Sequence, residues 1–283
     1  MIIREIESKS ILSKTGIPIA DYVINPYTGC IHSCIFCYAR FMKRFTGHQE
    51  DWGKFIDVKV NAPDLIPENT LKYEGKYIFL SSVTDPYLPL EREYRLTRRI
   101  IEKLIPLKPV LGILTKSDLI LRDLDIIKQF ENSEIGFSFS TLDENTRKEV
   151  EPAASPIEKR INALKEVHES GIQTYVFISP ILPYLTDWKD IIEKTGEYAD
   201  FFSFENLNIA GTVWSSVKRF LEEKHPDLVQ EYKEIYSDNV YWEIVEGKRS
   251  FPEPPKFSIL EVEEEIKEFC RAESLDCRLY FHH

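Results

Sequence analysis

The segment Gly29-Cys30-Ile31-His32-Ser33-Cys34-Ile35-Phe36-Cys37 places three of the five cysteines of this 283-residue chain close together. Three thiolates at this spacing indicate one shared ligand, and soft sulfur donors select zinc, copper(I) or an iron–sulfur cluster. Structural zinc takes four ligands. His32 could be the fourth, although it lies between two of the cysteines and no second Cys or His pair follows at zinc-finger spacing.

The spacing Cys-x-x-x-Cys-x-x-Cys, formed by Cys30, Cys34 and Cys37, resembles the radical S-adenosylmethionine (SAM) superfamily. The resemblance implies that these three residues are both metal-binding and catalytic: they hold a [4Fe-4S] cluster whose remaining iron chelates SAM. A ferredoxin cluster has four cysteine ligands and carries electrons only. In the family, the reduced cluster passes one electron into SAM, and the resulting 5′-deoxyadenosyl radical abstracts hydrogen from a substrate. An electron donor such as flavodoxin or ferredoxin is the partner that this chemistry implies.

Six short apolar, β-rich runs recur along the chain, and helical periodicity follows most of them. They lie at 20–24, 77–80, 110–114, 135–139, 174–178 and 201–204. Strands that alternate with helices predict parallel strands joined by right-handed crossovers, hence an α/β fold. Six units fit the partial (β/α)6 TIM-type barrel that the resemblance implies. We assign this core to residues 1–210.

The β/α alternation ends near residue 210, and residues 211–283 predict a helical C-terminal extension that packs on the barrel in the same domain. Its helices are expected at 213–223, 227–236 and 259–272, with a Pro-rich linker at 251–255. Cys270 and Cys277 are interpreted as ordinary apolar core positions.

Two helix starts carry local signals. Ser155-Pro156-Ile157-Glu158 predicts an N-cap serine, a proline at the first helical position and a glutamate three residues after the cap. Asp187 before Trp188 predicts the start of the next helix.

The loops that follow strand carboxyl ends carry the sites of barrel enzymes. Phe36 occupies the aromatic position that packs near the adenine of SAM in the family. Ser82, Thr84 and Asp85 follow the second strand, where the family usually has Gly-Gly-Glu to hold the methionine amino group. Hydroxyls and a carboxylate can bind an ammonium group. An Asp-Pro turn is the structural alternative for the same residues.

The next two strand ends add three candidate cofactor-binding residues. Lys116 follows the third strand and could pair with the methionine carboxylate, or it is a surface lysine. Ser138 and Ser140 alternate along the fourth strand, so both point to one face and can hydrogen-bond the ribose or the amino acid of SAM. Buried hydroxyls need partners, which favours a functional role.

A wider set of residues between 25 and 187 is similar to the spore photoproduct lyase-like branch of the superfamily. The set comprises Thr84-Asp85-Pro86-Tyr87, Thr115-Lys116-Ser117, Arg122-Asp123, Glu151-Pro152 and Arg160. True spore photoproduct lyases repair a thymine dimer and use a further cysteine as hydrogen donor, but this chain has no cysteine between Tyr38 and Phe269. We therefore expect a radical SAM enzyme of unassigned substrate. DNA photoproduct repair and a non-catalytic iron–sulfur or metal sensor are the alternatives.

The net charge of −11 disfavours binding to a phosphate backbone. A local basic patch could still form, or the same side chains are solvated on helix faces. The candidate side chains are Arg40, Lys43, Arg44, Arg92, Arg95, Arg98 and Arg99. The chain shows neither a signal-peptide pattern nor an apolar run of about 20 residues, so we expect a cytoplasmic protein that does not enter a membrane. A reducing compartment would also keep the three cysteines free for iron.

Overall fold

The computed structural model describes residues 1–68, 71–237 and 258–282. Its strands are β1 (Ile2–Ile6), β2 (Leu12–Lys14), β3 (Tyr22–Ile24), β4 (Tyr27–Thr28), β5 (Phe55–Lys59), β6 (Tyr77–Leu80), β7 (Val110–Thr115), β8 (Ser133–Phe139), β9 (Gln173–Ile181), β10 (Phe201–Asn206) and β11 (Cys277–Leu279). Its α-helices are α1 (Glu91–Tyr94), α2 (Leu96–Leu104), α3 (Leu124–Ile127), α4 (Glu144–Val150), α5 (Ile157–Glu169), α6 (Trp188–Thr195), α7 (Val213–Lys224), α8 (Leu228–Ser237) and α9 (Ile259–Ala272). Short 3₁₀ helices lie at Tyr38–Phe45, Ala62–Leu65, Ile105–Leu107, Asp118–Asp123 and Gly196–Tyr198.

The main sheet has the spatial order β11-β10-β9-β8-β7-β6-β3-β2. Neighbours from β3 to β11 pair in parallel, whereas β2 runs antiparallel to β3. A smaller sheet has the order β1-β5-β4. The six predicted strands correspond to β3, β6, β7, β8, β9 and β10, so the predicted α/β fold built on parallel strands is confirmed.

Helices cover one face of the main sheet. Side chains alternate along each strand, so Ile113, Phe137 and Ile178 point to this face, where each is fully buried. They share one hydrophobic core with Leu164 of α5 and Ile191 of α6. The apolar runs of the sequence therefore become strands because helices bury them.

Aromatic rings fill the opposite face near the amino ends of the strands. A Cβ atom at Gly112 would lie 2.3 Å from the Tyr77 ring, and one at Gly136 would lie 2.1 Å from the Tyr175 ring. Both positions are glycine because the rings occupy the space of a side chain. The Tyr175 ring stacks on Phe201 with 4.9 Å between ring centroids. Packed rings therefore occupy this end of the inner face, and the polar groups described below gather at the carboxyl ends.

The C-terminal third contains the predicted helices and also a strand. The predicted segments 213–223, 227–236 and 259–272 correspond to α7, α8 and α9, whereas the Pro-rich segment 251–255 lies outside the described residues. β11 pairs in parallel with β10, so the region expected to be helical also extends the main sheet. The division of the chain at residue 210 stays a prediction.

Cys270 and Cys277 belong to the core, as expected, but they also form a disulfide bond that the sequence interpretation did not include. Helix α9 ends just after Cys270 and β11 begins at Cys277, so the intervening turn brings the two side chains together. Cys277 pairs with Phe202 near the amino end of β10. The disulfide therefore lies away from the carboxyl ends of the strands.

One of the two predicted helix starts is confirmed and the other is shifted. The Asp187 side chain accepts a hydrogen bond from the Asp190 N–H at 3.0 Å and caps α6. Helix α5 begins at Ile157, one residue later than predicted, and the Ser155 hydroxyl bonds Asp118 instead of capping the helix. None of the described helices is long and apolar enough to cross a membrane.

Candidate active site

The cysteine segment follows β4 and depends on glycine for its path. Gly29 has a φ of 97°, a left-handed conformation that glycine adopts readily. A Cβ atom there would lie 2.5 Å from the Phe55 carbonyl oxygen of β5. The Thr84 hydroxyl donates to the Gly29 carbonyl at 2.7 Å. The turn into Cys30 is therefore held between the small sheet and the loop after β6.

The three cysteines of this segment are free thiols, and Cys30 and Cys34 are buried. Burial raises the pKa of all three thiols. Backbone N–H groups partly oppose this rise, those of His32 and Asp85 at Cys30 and that of Ala39 at Cys37. Loss of the thiol protons therefore needs a positively charged ligand, which is what an iron cluster provides.

Two buried N–H donors near the thiols also fit a sulfur-rich acceptor. Arg40 Nε is buried and has no hydrogen-bond partner among the described residues, and the buried Trp52 indole N–H faces the Cys37 thiol. Trp52 lies beside Cys37, and Arg40 donates to the Cys34 and Ile35 carbonyls at 2.9 and 3.0 Å. A buried donor without an acceptor is costly, so an acceptor at this place is expected.

The zinc alternative gains no support from His32. Its Nδ1 atom lies 3.4 Å from Asp85 Oδ2, and burial lowers the pKa of the imidazole while the Asp85 charge opposes that change. Across residues 1–68, 71–237 and 258–282, no three His, Cys, Asp or Glu side chains are grouped closely enough to hold a single metal ion.

Lys116 lies among polar groups beside the cysteine segment. Its Nζ atom is 2.6 Å from Ser138 Oγ and 2.9 Å from Glu151 Oε1. The ammonium also lies 5.6 Å from the centroid of the Phe36 ring. Ser140 donates to Glu151 at 3.0 Å. The structure therefore brings four predicted cofactor-binding residues together and adds a carboxylate that the predicted set lacks.

Glu151 is fully buried between two cations. Lys116 contacts one of its oxygens, and Arg160 Nη1 lies 3.1 Å from the other. Burial opposes ionisation, but the two positive charges outweigh it and lower the pKa of Glu151 to about 2. Arg160 also donates to the Ser138 carbonyl at 2.7 Å. This pairing holds the Lys116 side chain in place.

The residues after β6 form hydrogen bonds that connect the loops around the site. Asp85 accepts from Thr115 Oγ1, from the Lys116 N–H and from the Tyr87 N–H, each at 2.8 Å. The Ser82 hydroxyl accepts from Asn25 at 3.3 Å. These bonds agree with a turn built on Asp85, as the structural alternative expects. That Ser82, Thr84 and Asp85 also contact SAM stays a prediction.

Further polar residues lie at the carboxyl ends of the last strands. Ser179 donates to Glu205 at 2.6 Å, and His282 Nε2 lies 3.1 Å from the other Glu205 oxygen. The Asn206 side chain accepts a hydrogen bond from the His282 N–H at 2.8 Å and donates one to the His282 carbonyl at 3.0 Å. Lys116 was identified because polar residues at the carboxyl ends of strands form the sites of barrel enzymes. The same rule would also have identified Glu205.

Residues 24–195 match the family model of the radical SAM superfamily. The chain is 44% identical over 223 residues to an uncharacterized protein of Methanocaldococcus jannaschii, covering 79% of this chain and 83% of that protein. It is 23% identical over 221 residues to a protein of Pseudomonas phage M6 called radical SAM Nalpha-GlyT isomerase, covering 76% of this chain and 45% of that protein. This chain therefore belongs to the radical SAM superfamily.

The fold also resembles solved structures of one enzyme of that superfamily. Spore photoproduct lyase complexed with dinucleoside spore photoproduct superposes with a TM-score of 0.65 over 99% of this chain and 82% of that chain. The sequences are 16% identical, so the likeness concerns the fold. The predicted partial-barrel α/β fold is thus confirmed.

Proposed function

We propose that this protein binds a [4Fe-4S] cluster through Cys30, Cys34 and Cys37 and cleaves SAM reductively to abstract hydrogen from a substrate. The observation that carries the proposal is the set of three free cysteines with two buried N–H donors beside them, the unpaired Arg40 Nε and the Trp52 indole N–H that faces Cys37. When bound, the cluster and SAM supply the 5′-deoxyadenosyl radical.

The side chains around Lys116 are suited to orient SAM. The Lys116 ammonium, fixed by Glu151, offers a positive charge for the methionine carboxylate, and Ser138 offers a hydroxyl beside it. Phe36 offers a ring face for the adenine. Ser82, Thr84 and Asp85 stay candidates for the amino group, and Ser140 acts through Glu151.

The C-terminal helices are suited to exclude water. Ile35 and Phe36 pack against the apolar cluster formed by α7 and α8, which includes Phe220 and Tyr232. A dry site prevents water and other donors from quenching a reactive intermediate.

Anaerobic cluster reconstitution, followed by dithionite and SAM, tests the proposal through the yield of 5′-deoxyadenosine and the iron content. We expect product from the wild type and none from Cys34→Ala, because one of three cluster ligands is lost. Cys270→Ser/Cys277→Ser is the matched control and should keep both iron and product. A Cys34→Ala protein that retains full cleavage would contradict the site, and an intact cluster without cleavage would favour a sensor.

We do not extend the proposal to DNA photoproduct repair. The chain has no cysteine between Tyr38 and Phe269, and Cys270 and Cys277 are bonded to each other away from the strand carboxyl ends. The substrate therefore stays unassigned.

A further inference from the structure

The 3₁₀ helix Tyr38–Phe45 forms an exposed apolar surface on an otherwise acidic protein. Phe41 is 43% exposed and Phe45 is 65% exposed. The Arg44 guanidinium covers both rings, at 5.4 and 4.6 Å from their centroids. We define this surface as Arg40, Phe41, Lys43, Arg44 and Phe45. Aromatic rings rimmed by arginine are typical of the centre of a protein interface.

The charge of this surface is opposite to that of the whole chain. The segment 38–45 has three cations and no acidic residue, whereas the net charge of the protein is −11. Arg219 of α7 is close enough to Arg40 for their charges to interact, and Asp51 is an acidic group near Arg40. A cationic surface of this kind steers the approach of an acidic partner.

A cleft of about 500 Å³ lies between this surface and the connection that leads into α7. Phe41 and Arg44 line it on one side, and Gly211 and Val213 line it on the other. The cleft gives a projecting side chain or cofactor edge of a partner a place to insert.

The surface begins one turn from the proposed cluster ligands. Tyr38 directly follows Cys37, and Arg40 donates to the carbonyls of Cys34 and Ile35. The strand-end residues Ser138, Ser179 and Glu205 belong to the inner face of the sheet instead. A partner on this surface would therefore lie directly against the cysteine segment.

We infer that this surface docks the protein that reduces the cluster, a small flavin or iron–sulfur protein with an acidic surface around its cofactor. The inference rests on the proposed function. In the docked complex the partner loses one electron and the cluster gains it, and no bond forms or breaks. A single-stranded nucleic acid could also stack on the two phenylalanine rings. Three cations on a strongly acidic protein fit a compact acidic patch better than an extended polyanion.

Comparing a chemical reductant with a protein reductant distinguishes an effect on docking from an effect on SAM cleavage. Dithionite is a small molecule that needs no docking surface, whereas reduced flavodoxin and ferredoxin must bind. We expect Arg44→Glu and Phe45→Ala to keep dithionite-driven SAM cleavage within about twofold of the wild type. At low salt, Arg44→Glu should raise about tenfold or more both the half-saturating flavodoxin concentration and the dissociation constant of the flavodoxin complex, the latter measured by calorimetry without SAM. Arg99→Glu makes the same charge change on α2 and should leave both rates unchanged.

The other possible results would contradict either the docking surface or the proposed function. Equal flavodoxin-driven rates for wild type and Arg44→Glu would overturn the docking surface and leave the proposed function intact. So would a wild type that cleaves SAM with dithionite but accepts no electrons from flavodoxin or ferredoxin. Binding of an oligothymidylate that Arg44→Glu abolishes, with flavodoxin rates unchanged, would assign the surface to nucleic acid. A wild type inactive even with dithionite would instead defeat the proposed function.

Discussion

Glu151 illustrates what individual residues could and could not reveal from the sequence alone. Lys116, Ser138 and Phe36 were identifiable because each lies at a strand end or inside the cysteine motif, and the structure places them together. Glu151 was part of the family-like pattern but was not expected at the site. Its role depends on two cations from other elements, Lys116 after β7 and Arg160 of α5, so only the tertiary structure shows it.

Replacing Glu151 by glutamine should destabilise the protein strongly. The change leaves the fully buried Arg160 and the Lys116 side chain, which is 15% exposed, without a counter-charge, and breaking a buried ion pair in this way costs about 3–5 kcal/mol. Urea unfolding would measure the loss. Glu149→Gln is the control, because its partner Lys224 is 49% exposed and such a surface pair contributes about 0–1 kcal/mol. Equal stability of the two variants would contradict a buried, charged Glu151.

Among the secondary-structure elements, the six strands that helices bury in the main sheet were predictable, whereas β1 and β5 of the small sheet and β11 were not. The six predicted strands are continuous apolar runs because helices bury them. β1 is exposed over four of its five residues and therefore lacks a burial pattern that the sequence could show. β11 has only three residues, too few for periodicity, and it forms by pairing with the edge of β10. Helix α5 begins one residue later than predicted because the Ser155 hydroxyl bonds Asp118 instead of capping the helix.

Replacing Gly29 by alanine should disrupt the cysteine segment. Alanine is strained at a φ of 97°, and its Cβ would lie 2.5 Å from the backbone oxygen of Phe55. Gly75→Ala is the matched control, because Gly75 also has a positive φ, 67°, but nothing lies near its Cβ position. Strain alone should cost Gly75→Ala about 1–2 kcal/mol. We expect Gly29→Ala to lose more stability and most of its reconstituted iron, measured by thermal unfolding and iron assay. Iron content equal to that of Gly75→Ala would show that the close contact does not matter.

At the scale of the whole molecule, the C-terminal segment from β11 to His282 lies against β10, next to the candidate site. β11 extends the main sheet beside β10, and the backbone of His282 is then bonded by Asn206 at the carboxyl end of that strand. The sequence could not predict this position of the C-terminal segment, because a three-residue strand and one histidine show no hydrophobic periodicity. The cytoplasmic location stays a prediction, as does the electron-donor partner.

The contact between His282 and Glu205 should make the attachment of the C-terminal segment depend on pH. The hydrogen bond to Glu205 raises the pKa of His282 above its ordinary value of 6.5, although burial opposes the rise. A histidine pKa raised by folding adds stability that is fully present below pH 6.5 and is lost as the pH rises through the folded value. NMR titration should therefore place the His282 midpoint above 6.5. Glu205→Gln should lower this midpoint, whereas the exposed control Glu273→Gln should leave it unchanged. An unshifted midpoint in Glu205→Gln would mean that the contact does not hold the C-terminal segment on the sheet.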